Sequence, residues 1–264
     1  MLLNSVIIIL REVLEASLLI SVLLVFSKQL NLSYRWIVWA LVIGFSGAFF
    51  YAANISSVSG WFDGVGQELT NALLQQGIFI LLLFIIILVV LQFRRKNANT
   101  HILTIMMGLI VSLAIIREGS EIFIYLTNFT QAKDLFLIVI SGAVIGAGIG
   151  CSIGIIVYYL LCNIASRWSL NVGSVLLILI AAGMVSQASL LLIQADWLPS
   201  QLPLWDSSDF ISEQSVIGQL LYAVIGYEAT PTPIQAGLYC GALTLLISLF
   251  LLTGKITPKE DNPS

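Results

Sequence analysis

Charged residues recur with one spacing inside two apolar stretches, "IIILREVLEASLLI" at residues 7–20 and "LAIIREGSEIFIYL" at residues 113–126. A charge near the centre of a bilayer costs at least about 2.5–3.5 kcal/mol, and such residues are typical of ion pathways. Each stretch therefore needs an explanation that an ordinary apolar span does not. The six charged residues are Arg11, Glu12, Glu15, Arg117, Glu118 and Glu121.

The spacing Arg-Glu-x-x-Glu places both glutamates on one helix face, and the arginine lies four residues before the second glutamate, within pairing distance. Two such helices facing each other would present four carboxylates and two guanidinium groups, a formal excess of two negative charges. A polyvalent cation would neutralise that excess. Ligation by oxygen alone suits hard cations. The three cysteines lie away from the motifs, which argues against copper(I).

A structural explanation competes with the ion site, since each arginine could pair with its own glutamate and hold two helices together. The surplus glutamate in each motif decides between the two, because helix packing alone does not need a second carboxylate on the same face. Two copies of the motif therefore favour an ion site.

The composition predicts an all-α polytopic membrane protein. Of 264 residues, 59% are hydrophobic and 9% are charged, and the mean hydropathy is +1.02. A net charge of −3 without a basic cluster gives no support for binding nucleic acid. A helix needs about 20 apolar residues to cross a bilayer. Seven stretches qualify: about 2–26, 36–56, 70–93, 103–128, 135–162, 170–195 and 233–253.

Eight of the eleven Lys and Arg residues fall on one side of these seven predicted spans, and only Lys133 falls in a loop on the other. The positive-inside rule therefore predicts an outer N-terminus and a cytoplasmic C-terminus. The outer loops are acidic and would concentrate cations. Asp63, Glu68 and Glu228 are the candidates for outer cation capture.

The two motifs lie on the first helix of two successive groups of three spans, so their helices run in opposite directions. We expect one membrane domain over residues 1–264, built from two inverted three-helix repeats, with a site near the midplane. Its predicted parts are repeat 1 (about 1–96), repeat 2 (about 101–196), an outer loop with a short surface helix (about 197–232), helix 7 (about 233–253) and a cytoplasmic tail (254–264).

Small residues follow one another at four-residue intervals in "SGAVIGAGIGCSIG", residues 141–154. This spacing predicts close approach of helix backbones. A phosphate-binding loop would need an aqueous strand–helix setting, which the sequence does not offer.

The paired motifs "REVLE" and "REGSE" resemble those of the oxidase-dependent high-affinity iron permeases, which include fungal iron permeases and bacterial EfeU-type proteins. The late stretch "GQLLYAVIGYEATPTP" and the seven spans are similar as well. The resemblance implies import of ferric iron, with Glu12, Glu15, Glu118 and Glu121 handling the metal and Arg11 and Arg117 orienting them.

The resemblance implies a transporter rather than an enzyme, in the cytoplasmic membrane of a bacterium, with iron as cargo and no resident cofactor. Its implied partners are membrane lipid, the transported ion, and an extracytoplasmic iron oxidase or iron-binding protein. One departure concerns the start of helix 3, where bacterial relatives often carry a further Glu-x-x-Glu. Here Asn71 stands in place of the second glutamate.

Other functions remain open at this point. The same scaffold could carry Mn²⁺, Fe²⁺ or Pb²⁺, or the motifs could only pack helices in a membrane subunit that transports nothing. An intramembrane hydrolase would need a histidine ligand or an activated nucleophile. The one histidine, His101, is too far along its helix from Glu118 to provide it.

Overall fold

The computed structural model describes residues 1–95, 100–130 and 133–256. Within these ranges the chain forms helices and no strand, which confirms the all-α prediction. The helices are α1 (Leu2–Gln29), α2 (Arg35–Ala53), α3 (Ile55–Ser59), α4 (Gly66–Arg95), α5 (Thr100–Thr127), α6 (Lys133–Asn163), α7 (Ser166–Gln194), α8 (Val216–Ile225) and α9 (Pro233–Ile256), with a 3-10 turn at Phe62–Gly64.

Six helices in the described part of the chain are long and apolar enough to cross a bilayer, namely α2, α4, α5, α6, α7 and α9. The seventh predicted span is α1. It has 28 residues, ample for crossing, but the three charges of the first motif interrupt its apolar run. The predicted tail is outside the described residues from position 257 onward, as are Lys96 and Lys259.

The short helix expected before the last span is present as α8. The hydroxyl of Ser215 accepts a hydrogen bond from the backbone N–H of Gly218 and caps its start. Gly226 ends the helix in the left-handed conformation (φ 65°), which glycine adopts without strain. Helix α8 packs against α1 and α7, so it belongs to the helical bundle. Pro233 then occupies the first position of α9, where a missing N–H costs nothing.

Three helix pairs form the largest contacts of the bundle: α1 with α6, α2 with α5, and α4 with α7. The two motif helices, α1 and α5, also pack against each other. Residues that are far apart in sequence therefore meet in one buried region.

The glycine stack of α6 faces the backbone of α1. A Cβ atom on Gly146 would lie 2.5 Å from the carbonyl oxygen of Val6, and one on Gly142 would lie 2.8 Å from that of Leu2. The close approach lets the hydroxyls of Ser17 and Ser21 donate to backbone carbonyls of α6, over 3.0 Å and 2.8 Å. The glycines thus serve helix packing, as the sequence predicted, and they hold the first motif helix in place.

Enlarging Gly146 should therefore destabilise the protein. We expect Gly146→Leu to lower the melting temperature in detergent, because its side chain would force α6 away from α1; overpacking of this kind costs at least about 1–3 kcal/mol. Gly148→Leu is the matched control, since nothing lies within 4 Å of a Cβ at Gly148. Equal melting temperatures for the two variants would contradict the packing role.

Candidate metal centre

The two Arg-Glu-x-x-Glu motifs meet where α1 contacts α5. Arg117 on α5 donates from Nη1 to Oε2 of Glu15 on α1 over 3.1 Å, and it also pairs with Glu118 on its own helix. Arg11 donates from Nε to Oε1 of Glu15 over 3.5 Å. The weaker i,i+4 pair of α5 joins Arg117 and Glu121 at 3.9 Å. The motifs therefore form one charge cluster across two helices.

Glu15 is the carboxylate that both arginines share. One of its oxygens faces Arg11 and the other faces Arg117, and the residue is almost fully buried. The sequence pattern treats the four motif glutamates alike. In the structure, Glu15 instead serves as the bridge between the arginines.

The other three motif glutamates form a separate group. Glu12, Glu118 and Glu121 each place one carboxylate oxygen within 4.8 Å of the others. Oxygens bound to one hard cation at about 2.1 Å lie at most about 4.2 Å apart, so small side-chain movements would close this triad on an ion. The residues present thus suit a hard metal ion.

Two oxygens of the triad receive no hydrogen bond from an N–H group or a hydroxyl, and the carboxyl groups of Glu12 and Glu118 lie within hydrogen-bonding distance of each other. Oε2 of Glu12 and Oε2 of Glu118 accept no hydrogen bond. Both residues are buried, with 4% and 2% of their surface exposed. A buried polar atom without a partner is costly, and buried charges are normally paired or bound to metal. The side chain of Glu121 is 30% exposed, so the triad is open on one side.

A cavity of about 400 Å³ reaches the triad from the ends of the helices. Glu12 and Glu121 line it while Glu118 does not, and Glu68 lines it from the first turn of α4. Oε2 of Glu68 is buried without a hydrogen-bond partner. The remaining lining residues are mostly polar or lie at helix ends: Ile8, Gln67, Asn71, Ile124, Tyr125, Asn128, Leu191 and Gln194.

The three candidates for outer cation capture differ in whether they line the cavity. Glu68 lines the cavity. Asp63 lies exposed in the turn between α3 and α4, with a positive φ of 62°, and does not line it. Glu228 is held by a hydrogen bond from Nε2 of Gln235 over 2.6 Å, between α8 and α9, and is likewise outside the cavity lining.

Asn71 connects the cavity wall to the triad. Its Nδ2 donates to Oε1 of Glu121 over 3.3 Å, and its Oδ1 accepts from the hydroxyl of Tyr51 over 3.2 Å. Asn71 follows Glu68 by three positions in the sequence, so both residues were expected on the same face of α4. The contact with Tyr51 could not be expected in this way, because it depends on how α2 packs.

Polar residues elsewhere in the spans also form hydrogen bonds between helices. Gln75 of α4 donates to Gln187 of α7 over 2.8 Å. Another contact could not be anticipated: the guanidinium carbon of Arg11 lies 3.8 Å from the ring centroid of Tyr222 on α8.

Glu228 lies outside the spans and titrates abnormally. Burial, and next the negative charge of Glu213, raise its pKa from 4.5 to about 7, although the hydrogen bond from Gln235 opposes the shift. The folded state therefore holds a proton on Glu228 more tightly than the unfolded state does. That contribution to stability is complete below about pH 4.5 and is lost as the pH rises through about 7.

We accordingly expect Glu228→Gln to melt at a higher temperature than the wild type at pH 8 and at the same temperature at pH 4.5, because glutamine is neutral throughout. Thermal melting of the purified protein in detergent measures both. Asp209→Asn, at an exposed carboxylate of the same segment between α7 and α9, is the control. A difference between Glu228→Gln and wild type that does not change with pH would contradict the assignment.

Comparison with known proteins places the whole chain in one family. The model of the iron permease FTR1 family matches residues 2–256, a range that contains both motifs, the cavity and α8. No curated protein and no solved structure matches the sequence. The match confirms the family resemblance of the motifs and establishes a multi-pass membrane protein of iron transport. The chain is thus a member of the iron permease FTR1 family.

Proposed function

We propose that this protein imports ferric iron across the cytoplasmic membrane through the triad Glu12, Glu118 and Glu121. The observation that supports this most strongly is a pair of buried carboxylate oxygens, one on Glu12 and one on Glu118, that accept no hydrogen bond. They lie in an all-oxygen cluster that a hard cation would satisfy. A trivalent ion would neutralise the three carboxylates of the triad.

In the proposed path, iron enters the cavity past Glu68, whose carboxylate is its first charged contact. It next reaches Glu121, the most exposed member of the triad, and then Glu12 and Glu118. Arg117 already contacts Glu118 and lies 3.9 Å from Glu121. It can therefore compete with the ion for these two carboxylates and, together with protons, promote release to the other side.

A divalent cargo is the second candidate, and the overall charge supports it. Counting Glu15 and both arginines, the cluster carries a formal excess of two negative charges, which a divalent ion would balance. Fe²⁺ and Mn²⁺ suit the same oxygen ligands. Offering the two oxidation states of iron separately therefore distinguishes the candidates.

We further propose seven spans with an outer N-terminus, a cytoplasmic C-terminus and an inverted repeat that relates α1, α2 and α4 to α5, α6 and α7. The helix contacts support the repeat. If α1, α2 and α4 change places with α5, α6 and α7, the α1–α6 contact becomes the α5–α2 contact and the α4–α7 contact stays the same. These three contacts are the largest in the bundle. Alternating access would then arise from movement of one repeat against the other.

In keeping with the family resemblance, we place the protein in a bacterial inner membrane, with an extracytoplasmic iron oxidase or iron-binding protein as its supplier. The acidic outer segments support a site that receives cations from that side.

Cells that express Glu12→Gln, Glu118→Gln or Glu121→Gln should insert the protein normally but lose ferric uptake by at least about tenfold. Each change replaces a charged ligand by an amide, worth at least about 1.4 kcal/mol. Radioactive iron uptake, normalised to the amount of protein in the membrane, measures this with ferric and ferrous iron in separate assays.

Asp209→Asn controls for the loss of one negative charge far from the triad. Glu15→Gln should differ from the other three by also lowering the amount of folded protein, because two arginines lose their shared partner. Wild-type uptake in well-inserted Glu12→Gln and Glu118→Gln would contradict the proposed path. Uptake of ferrous iron alone would favour the divalent cargo.

A further inference from the structure

The position of Arg11 depends on a residue outside both motifs. Its Nε lies 3.5 Å from Oε1 of Glu15 and 3.9 Å from Oε1 of Glu12, both long contacts. Its guanidinium carbon lies 3.8 Å from the ring centroid of Tyr222, well inside the 6 Å range of a cation–π interaction. The ring therefore packs against the guanidinium group at a distance comparable to those of its two carboxylate contacts.

Tyr222 is held firmly in this place. It lies in the last turn of α8, whose start is capped by Ser215 and whose end is Gly226. Gly226 packs directly on Gly183 of α7, where an added Cβ would lie 2.9 Å from the Cα of Gly226. The end of α8 is thereby fixed to α7, and the ring is presented to α1.

The contact bears directly on the charge of the triad. Nε of Arg11 lies 3.9 Å from Oε1 of Glu12. A closer pairing with Glu12 would neutralise one of the three carboxylates offered to the cation. With the guanidinium against the ring, Oε2 of Glu12 accepts no hydrogen bond from Arg11. An arginine released from the ring could approach that oxygen and compete with the ion.

We propose that Tyr222 is a positioning residue, whose ring keeps Arg11 from pairing more closely with Glu12 and so sets the affinity of the triad for its cation. This inference rests on the proposed function of the triad. It gives α8 a role in the site, although α8 is too short to span a bilayer and its sequence contains no charged residue.

The test is the concentration dependence of iron uptake in wild type, Tyr222→Phe and Tyr222→Leu. We expect Tyr222→Leu to raise KM roughly three- to thirtyfold, the range that corresponds to loss of a cation–π contact, with the maximal rate per inserted protein retained. Tyr222→Phe keeps the ring and should stay within about twofold of wild type.

Tyr227→Leu is the matched control in the same outer segment. Its hydroxyl contacts Ser207 and the carbonyl of Ile211, so its loss loosens the segment without removing the ring from Arg11. An equal rise of KM in Tyr227→Leu would overturn the inference, because general loosening would then explain the effect.

Tyr222→Met fills a similar volume without an aromatic face, and it replaces Tyr222→Leu if the latter does not accumulate. If neither variant accumulates, Tyr222 is a packing residue and the inference is overturned. An unchanged KM in Tyr222→Leu, with saturable wild-type uptake, rejects this inference alone. Absence of saturable uptake in the wild type rejects the proposed function itself, and the inference with it.

Discussion

The fold is organised around charges that are expensive to bury. Four carboxylates and two guanidinium groups lie in the middle of apolar helices, and the excess of negative charge is not balanced within the cluster. The ion pair of Glu15 with Arg117 joins α1 to α5, the pair of Glu15 with Arg11 lies within α1, and both satisfy part of the cluster. Glu12, Glu118 and Glu121 gather beside these pairs, and Glu118 is itself paired with Arg117. The ion pairs that hold the bundle together therefore adjoin the candidate metal centre.

The surrounding helices place these charges and keep the triad accessible from one side. The glycine stack of α6 brings its backbone against α1 and fixes the depth of the first motif. Helix α4 supplies Asn71 to Glu121 and lines the cavity with Glu68. Helix α8 covers Arg11 with the ring of Tyr222. Packing groups and site groups are thus often the same residues or their immediate neighbours.

The local sequence predicted the helices and the glycine contact, because hydrophobic runs and residue spacing are sufficient for these. It also singled out the motif residues, which the structure brings together where α1 meets α5. It could not show that Glu15 and Glu12 differ in their ion pairing, because that depends on which of the two carboxylates Arg117 contacts across the helix interface. It also could not place Tyr222 beside Arg11, because the two residues are distant in sequence and meet only when α8 packs on α1 and α7. The contact of Tyr51 with Asn71 could not be predicted for the same reason, because it depends on how α2 packs.

The most direct test of the account is ferric iron binding to the purified protein, followed by X-ray absorption spectroscopy of the bound metal. The triad predicts one ferric ion per chain with a shell of oxygen ligands and no sulfur, and loss of that ion in the Glu12→Gln, Glu118→Gln double variant. Full binding by a folded double variant, or sulfur in the metal shell, would contradict the assignment of the triad as the transport site.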